Sequence, residues 1–239
     1  MFEKLKEIHD LVIRDPKNVT PEIRTHFWKL VGQIKRTPHP DQEIVAKASE
    51  IRDLLYEQRL GRTFSLKVML PIWGVLAIGC FIGYIWSLEK IAGNDLICFK
   101  WNSHLLGGFV VFGYPLGRFV AGTLMGIRFD GMSRDIYYLP TLKINYYSYL
   151  MASPPKRQWM FLLAGMSTVF TSGVAGTLGF VMARDATGLL LCAFLVVSYI
   201  LVIAFPKQVG RWRGEMGHFY RERNIVRDWK RKLASLTNS

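Results

Sequence analysis

The stretch VMLPIWGVLAIGCFIGYIWS, residues 68–87, contains no charge across twenty positions, with Pro71 and three glycines as its only breaks. A bilayer core takes roughly 20 predominantly apolar residues to cross, and this run matches that length. Three further stretches are of the same kind: HLLGGFVVFGYPLGRFVAGTLM (104–125), WMFLLAGMSTVFTSGVAGTLGFVM (159–182) and TGLLLCAFLVVSYILVIAF (187–205). Only the second carries a charge, Arg118, well inside its span.

The flanks are the opposite in character. The chain has 239 residues, 21% of them charged, a formal net charge of +13 and a mean hydropathy of +0.16. A positive mean with that much charge requires the apolar residues to be gathered into blocks. This excludes a disordered or collagen-like chain and a fully soluble single-core domain. Cys80, Cys98 and Cys192 are irregularly spaced, which excludes a disulfide framework and a cysteine zinc module. The expected fold is therefore predominantly α: a polytopic membrane protein with about four transmembrane helices. Its parts are an N-terminal helical segment (1–64), a transmembrane domain (65–206) and a basic tail (207–239).

Lys and Arg set the expected orientation. Residues 1–64 hold 12 of them and residues 207–239 hold 9, while the 126–158 loop adds Arg128, Arg134, Lys143, Lys156 and Arg157. Four spans put these three segments on one side. Both termini are expected in the cytoplasm, with the protein in the plasma (cytoplasmic) membrane. The first apolar run lies behind a long charged segment, so it reads as a retained anchor.

Outside the spans, three amphipathic helices are expected near 2–13, 21–35 and 41–60, with Thr20-Pro21 as an N-cap and first-turn proline. They form either a small bundle or a collar on the membrane surface. His9, His26 and His39 have no metal-like spacing. The loop GIRFDGMSRDIYYLPTLKINYYSYL (126–150) is rich in β-branched and aromatic residues and predicts one or two short strands. Tyr137, Tyr138, Tyr146, Tyr147 and Tyr149 are expected as an interfacial aromatic belt rather than a substrate clamp, and Lys156 and Arg157 as interfacial anchors. The tail predicts a basic amphipathic helix against anionic lipid headgroups, carried by Arg211, Arg213, Arg221, Arg223, Lys230, Arg231 and Lys232. Membrane phosphates are nearer to a tethered tail than nucleic acid is, so no nucleic-acid partner is expected.

Small residues let membrane helices approach closely. Gly113, Gly117, Gly122 and Gly126 in the second span, Gly79 and Gly83 in the first, and Gly173, Gly176 and Gly179 in the third are candidate packing positions.

The sequence from Gly113 to Ala121, GYPLGRFVA, followed by Leu124-Met125-Gly126-Ile127-Arg128, resembles the active-site helix of the site-2-protease family of intramembrane zinc metallopeptidases. That family reads H-E-L-G-H-x-x-A, then L-x-G-I/V and a β-rich loop. Leu116-Gly117 match the central pair, Ala121 the alanine and Gly126-Ile127 the start of the loop, without a gap. The downstream LPTLKINY (139–146), ASPPKR (152–157) and the Ala164-Gly165 span are similar to the family's loop and next helix. The resemblance covers about 104–182.

The resemblance implies two histidines one turn apart and a glutamate base. Tyr114, Pro115 and Arg118 stand at those positions. The family's third ligand, an aspartate in a later span, has no counterpart in 187–205, and Asp130-Gly131 lies too close to the helix to serve. His104 is about 15 Å along the helix from Tyr114, too far to share an ion. No metal or other cofactor is expected, and no catalytic residue. What remains is a catalytically inactive relative with a binding, regulatory or assembly role toward another membrane protein. Arg118, Tyr114 and Asn145 are its possible groove residues. Two alternatives stand beside it: an active peptidase with relocated ligands, and a small transporter or channel using Arg118 as a counter-charge. Arg118 itself reads either as functional or as a packed structural residue.

Overall fold

The computed structural model describes residues 1–14, 19–60, 63–90, 95–134, 140–205 and 215–237. The chain is predominantly helical, with one two-stranded sheet. It divides into two compact units. One gathers residues 1–65, 122–159 and 219–239, and the other gathers 66–121 and 160–218. The division follows the charge pattern rather than chain order. The three basic segments expected on one side of a membrane converge in the first unit, and the apolar helices fill the second.

In the first unit, α1 (Phe2–Arg14) buries Leu5, Ile8 and Val12, and α2 (Pro21–Ile34) buries Phe27, Leu30, Val31 and Ile34. The Thr20 side chain accepts from the Ile23 N–H, which answers one unpaired donor of α2's first turn. Asp41 does the same for α3 (Gln42–Leu60), accepting from Glu43 N–H at 2.7 Å. α1 packs on both α2 and α3. The apolar stripes face one another, so these helices form a bundle and not a surface collar. His9 is buried in it, 2.9 Å from Glu50.

The expected strands are β1 (Phe129–Arg134) and β2 (Pro140–Ile144), antiparallel, with Met132 opposite Leu142 and an irregularity between Phe129 and Gly131. Phe64 extends β1 through two backbone hydrogen bonds with Met132, at 2.7 and 2.9 Å. Gly131 permits this, because a Cβ there would meet Thr63 and the Phe64 carbonyl. α6 (Tyr146–Met151) follows, capped by Asn145, whose side chain accepts from Ser148 N–H at 2.9 Å. α9 (Glu215–Thr237) runs to the end of the described chain.

A buried ionic cluster draws this unit together. Arg157 and Glu222 are 1% and 2% exposed and 2.9 Å apart. Lys35 donates to the same carboxylate at 2.7 Å, and the Tyr149 hydroxyl donates to it at 2.6 Å. The Arg157 guanidinium also donates to the carbonyls of Leu150, Ala152 and Lys35, at 3.2, 3.0 and 2.8 Å. Two expectations are corrected here. Arg157 is a core residue and not an interfacial anchor, because a guanidinium whose three nitrogens all have hydrogen-bond partners is stable away from water. Tyr146 and Tyr149 are buried and not part of an aromatic belt; Tyr147 is exposed, and Tyr137 and Tyr138 lie outside the described residues. On α9, Tyr220, Ile225 and Val226 are buried. Arg221, Arg223, Lys230, Arg231 and Lys232 are exposed, while Arg211 and Arg213 lie outside the described residues.

The second unit contains α4 (Leu66–Lys90), α5 (Asp95–Leu124, to Ala121), α7 (Pro154–Ala183, from Met160) and α8 (Thr187–Ala204). Leu66–Leu88, Lys100–Leu124 and Pro154–Ala183 are long and apolar enough to cross a membrane. The fourth expected span is the apolar helix α8, whose 18 residues extend about 27 Å, short of a core of about 30 Å. Three helices, not four, therefore meet the length and composition of a span among the described residues. The unit's core is Tyr84, Leu88, Leu106 and Ala175. Its outer faces are apolar too: Val75, Ile78, Ile82, Phe170, Val181 and Phe194 are all more than half exposed.

One set of buried polar groups in this unit is paired internally. Asp185 accepts from the Tyr84 hydroxyl at 3.0 Å, from Asn102 at 3.1 Å, and from the Thr187 N–H and hydroxyl at 3.1 and 2.6 Å. The Ser87 hydroxyl donates to Asn102. Close backbone approach accompanies this network, with Gly176 against Gly188 and Gly179 against the Tyr84 ring.

Burial pushes the Glu222 carboxyl up, but the charges of Lys35 and Arg157 and the hydrogen bonds from Lys35 and Tyr149 outweigh it and hold it at about 2. Burial lowers Lys35 more than Glu222 raises it. An unfolded glutamate titrates near about 4.3. Glu222 therefore contributes its full stability above that pH and loses it as the pH falls toward 2. Acid titration of the full-length protein in detergent, followed by tryptophan fluorescence, is expected to show this loss. Glu222→Gln is expected to remove that acid step and to cost about 3–5 kcal/mol at neutral pH, since two cations are left buried without their anion.

Candidate functional site

The residues at the motif positions all lie on α5. Tyr114 and Arg118 are four apart, so they share a face one turn from each other. Pro115 sits between them, and the helix continues through it to Leu124. Proline has no N–H, so the Val111 carbonyl lacks its usual helical donor there.

Both side chains reach Glu215, the first residue of α9. Arg118 Nε lies 3.3 Å from Glu215 Oε1, and the side chains are 11% and 9% exposed. The Tyr114 hydroxyl donates to the same oxygen. Glu215 Oε2 is buried and has no hydrogen-bond partner among the described residues. The Tyr199 hydroxyl of α8 lies against Gly165 of α7.

Glycines bring these helices within reach. A Cβ on Gly165 would stand 2.7 Å from the Tyr199 hydroxyl, and one on Gly117 would overlap Ser167. Gly117 is thus a packing position, as expected. Gly122 is also one, lying against the Phe129 ring, whereas Gly113 has nothing within 4 Å. Gly126 has another task, which corrects its assignment to helix packing. With φ +75°, it donates to the Thr123 carbonyl at 3.0 Å, and Ile127 N–H reaches the Gly122 carbonyl at 2.8 Å. This is a Schellman motif, with the left-handed residue glycine and the following Ile127 buried. The Gly126-Ile127 pair therefore ends the helix and turns the chain into β1.

Asn145 belongs to the first unit. It caps α6 and donates to Asp130 at 2.8 Å. His104 is exposed, with Nδ1 2.6 Å from the Lys100 carbonyl, and the His218 ring stacks on Phe161.

The donor set does not fit a zinc ion. A fixed guanidinium charge stands beside the only carboxylate of the cluster, and a second cation there is repelled. Among the described residues there is no group of three His, Cys, Asp or Glu side chains able to hold a metal. The arrangement is a neutralised ion pair with a phenol donor, which can fix helices or offer a polar contact.

Glu215 did not emerge from sequence patterns. One signal was available: residues 207–239 contain three acids among nine cations, and all three acids are ion-paired, Glu215 with Arg118, Glu222 with Lys35 and Arg157, and Asp228 with Arg36. No family model, curated protein or solved structure matches the chain.

A double-mutant cycle measures the pair. Arg118→Gln and Glu215→Gln are each expected to lower stability by about 3–5 kcal/mol, because each removes the counter-ion of a buried charge. The double variant is expected to recover most of that loss, read as a positive coupling in thermal denaturation. Additive single losses would show that the two charges do not interact.

Proposed function

We propose that the chain is a catalytically inactive, site-2-protease-like integral membrane protein with a binding, regulatory or assembly role toward other membrane proteins. The observation that carries this reading is the fate of the motif face. Tyr114 and Arg118 hold the places of two metal ligands, and Arg118 is engaged by Glu215. The Schellman end of α5 and the hairpin after it support the resemblance, since they supply the glycine turn and β-rich loop the family places there. The apolar outer faces of α4, α7 and α8 support a membrane setting, because exposed apolar surface on that scale is stable in lipid and not in water.

A scaffold of this kind retains the means to bind a transmembrane segment of another protein without cleaving it. Arg118 is less suited to a transported anion than an unpaired arginine is, since Glu215 already neutralises it. The location proposed is the plasma (cytoplasmic) membrane. Termini and central loop belong to one compact unit, which supports an arrangement in which α8 also crosses and they share a side, and their basic residues favour the cytoplasm for that side. The exposed cations of α9 face anionic headgroups there.

Two measurements test the proposal. Purified full-length protein, exposed to zinc and then freed of excess, is expected to hold far less than one zinc per chain. Stoichiometric zinc with chelator-sensitive cleavage would overturn the reading. A photoreactive residue at Val111 or Val120, both about half exposed on α5, is expected to form an adduct with an intact transmembrane segment of another protein. Adducts with lipid alone would count against it. In intact cells, Ser235→Cys is expected to react with a thiol reagent only after permeabilisation.

A further inference from the structure

We propose that a cleft of about 530 Å³ in the first unit, lined by Met125, Gly126, Arg128, Tyr147, Ser148 and Lys156 among others, binds the phosphate of an anionic phospholipid. It goes beyond the function proposed above and needs only that the protein sits in a bilayer.

The cleft lies where the chain leaves α5, forms α6 and enters α7. Gly126 turns the backbone there, and nothing lies within 4 Å of where its Cβ would stand. The opposite wall is fixed: Arg128 N–H donates to the Ser148 hydroxyl oxygen at 2.9 Å, and that hydroxyl donates to the Asn145 carbonyl at 2.9 Å.

Two cations line this space. Arg128 and Lys156 are exposed, and among the described residues neither side chain has a hydrogen bond or ion pair. The nearest acid in sequence, Asp130, is held by the Asn145 amide. Lys156 also lies in the first turn of α7, whose Pro154 and Pro155 have no N–H. The positive end of a 30-residue helix adds to the field of the two side chains.

The remaining lining selects a lipid over a free phosphate. Met125, Tyr147 and Met151 make part of the wall apolar. Leu124 and Trp159, on the adjoining turns of α5 and α7, are 69% and 54% exposed. A small inorganic anion has no use for that surface, whereas a phospholipid places its phosphate at the cations and its acyl chains along the apolar rim. A net negative headgroup fits two cations better than a zwitterionic one, whose ammonium is repelled.

The test uses the full-length protein in a neutral detergent. Phosphatidylglycerol, phosphatidylcholine and inorganic phosphate are added separately, and binding is read by thermal stabilisation and by lipid retained in native mass spectrometry. Phosphatidylglycerol is expected to bind and stabilise, with phosphatidylcholine and phosphate far weaker. Arg128→Gln and Lys156→Gln are each expected to weaken it about tenfold. Arg128→Lys should lose less, and Lys4→Gln on α1, an exposed cation away from the cleft, should lose nothing. Equal binding of phosphatidylcholine, equal protection by phosphate, or an equal loss in Lys4→Gln would overturn the proposal. Should Arg128→Gln fail to fold, the Lys156→Gln and Arg128→Lys pair decides it.

Discussion

The carboxylate of Glu222 is the point on which the first unit depends. It is contacted by Lys35 from just beyond the end of α2, by Tyr149 from α6 and by Arg157 from the first turn of α7. None of these elements adjoins α9 in the chain. A carboxylate out of water is costly alone, and so are a guanidinium and an ammonium. Together they satisfy one another, and the arrangement exists only when all the segments have arrived. The ion cluster thus specifies which segments belong together, while Leu5, Val12, Phe27 and Ile51 supply the apolar burial.

The second unit solves the complementary problem. Its helices are apolar inside and out, so burial of hydrocarbon does not distinguish one packing from another. Discrimination falls to small residues and to polar groups that must find each other. Gly176 against Gly188 sets one close approach, and Gly117 against Ser167 another. Asp185 receives four donors from α4, α5 and the start of α8, and Glu215 receives Tyr114 and Arg118. These polar groups act as keys in an otherwise uniform surface.

Local structure was legible wherever the signal lay within a few residues. Thr20-Pro21 marked the start of α2, the β-branched run after Gly126 marked the hairpin, and uncharged runs marked α4, α7 and α8. Boundaries shifted where polar residues are helical as well: α5 starts at Asp95, well before the apolar run at 104. What stayed hidden were partners far apart in the chain. Lys35 and Glu222 are 187 residues apart, and no periodicity links them. Arg157 read as an anchor because its neighbours Ser153 to Lys156 look like a membrane boundary, and its burial depends on a carboxylate from the tail. The Asn145 role was visible in kind only, since a cap and a groove residue are both polar positions before an apolar run.

The interleaved make-up of the first unit has a consequence for biosynthesis. The α2 end of the cluster is made early, and Glu222 is added 187 residues later. At roughly 5–20 residues per second, that interval is about 10–40 s. The amino-terminal helices leave the ribosome without the acid that completes their fold. In the membrane setting proposed above, the apolar helices enter lipid within that interval. Under that proposal, closure of this unit is a late event that requires every preceding segment on the same side, so a chain inserted with one helix reversed lacks the means to complete it.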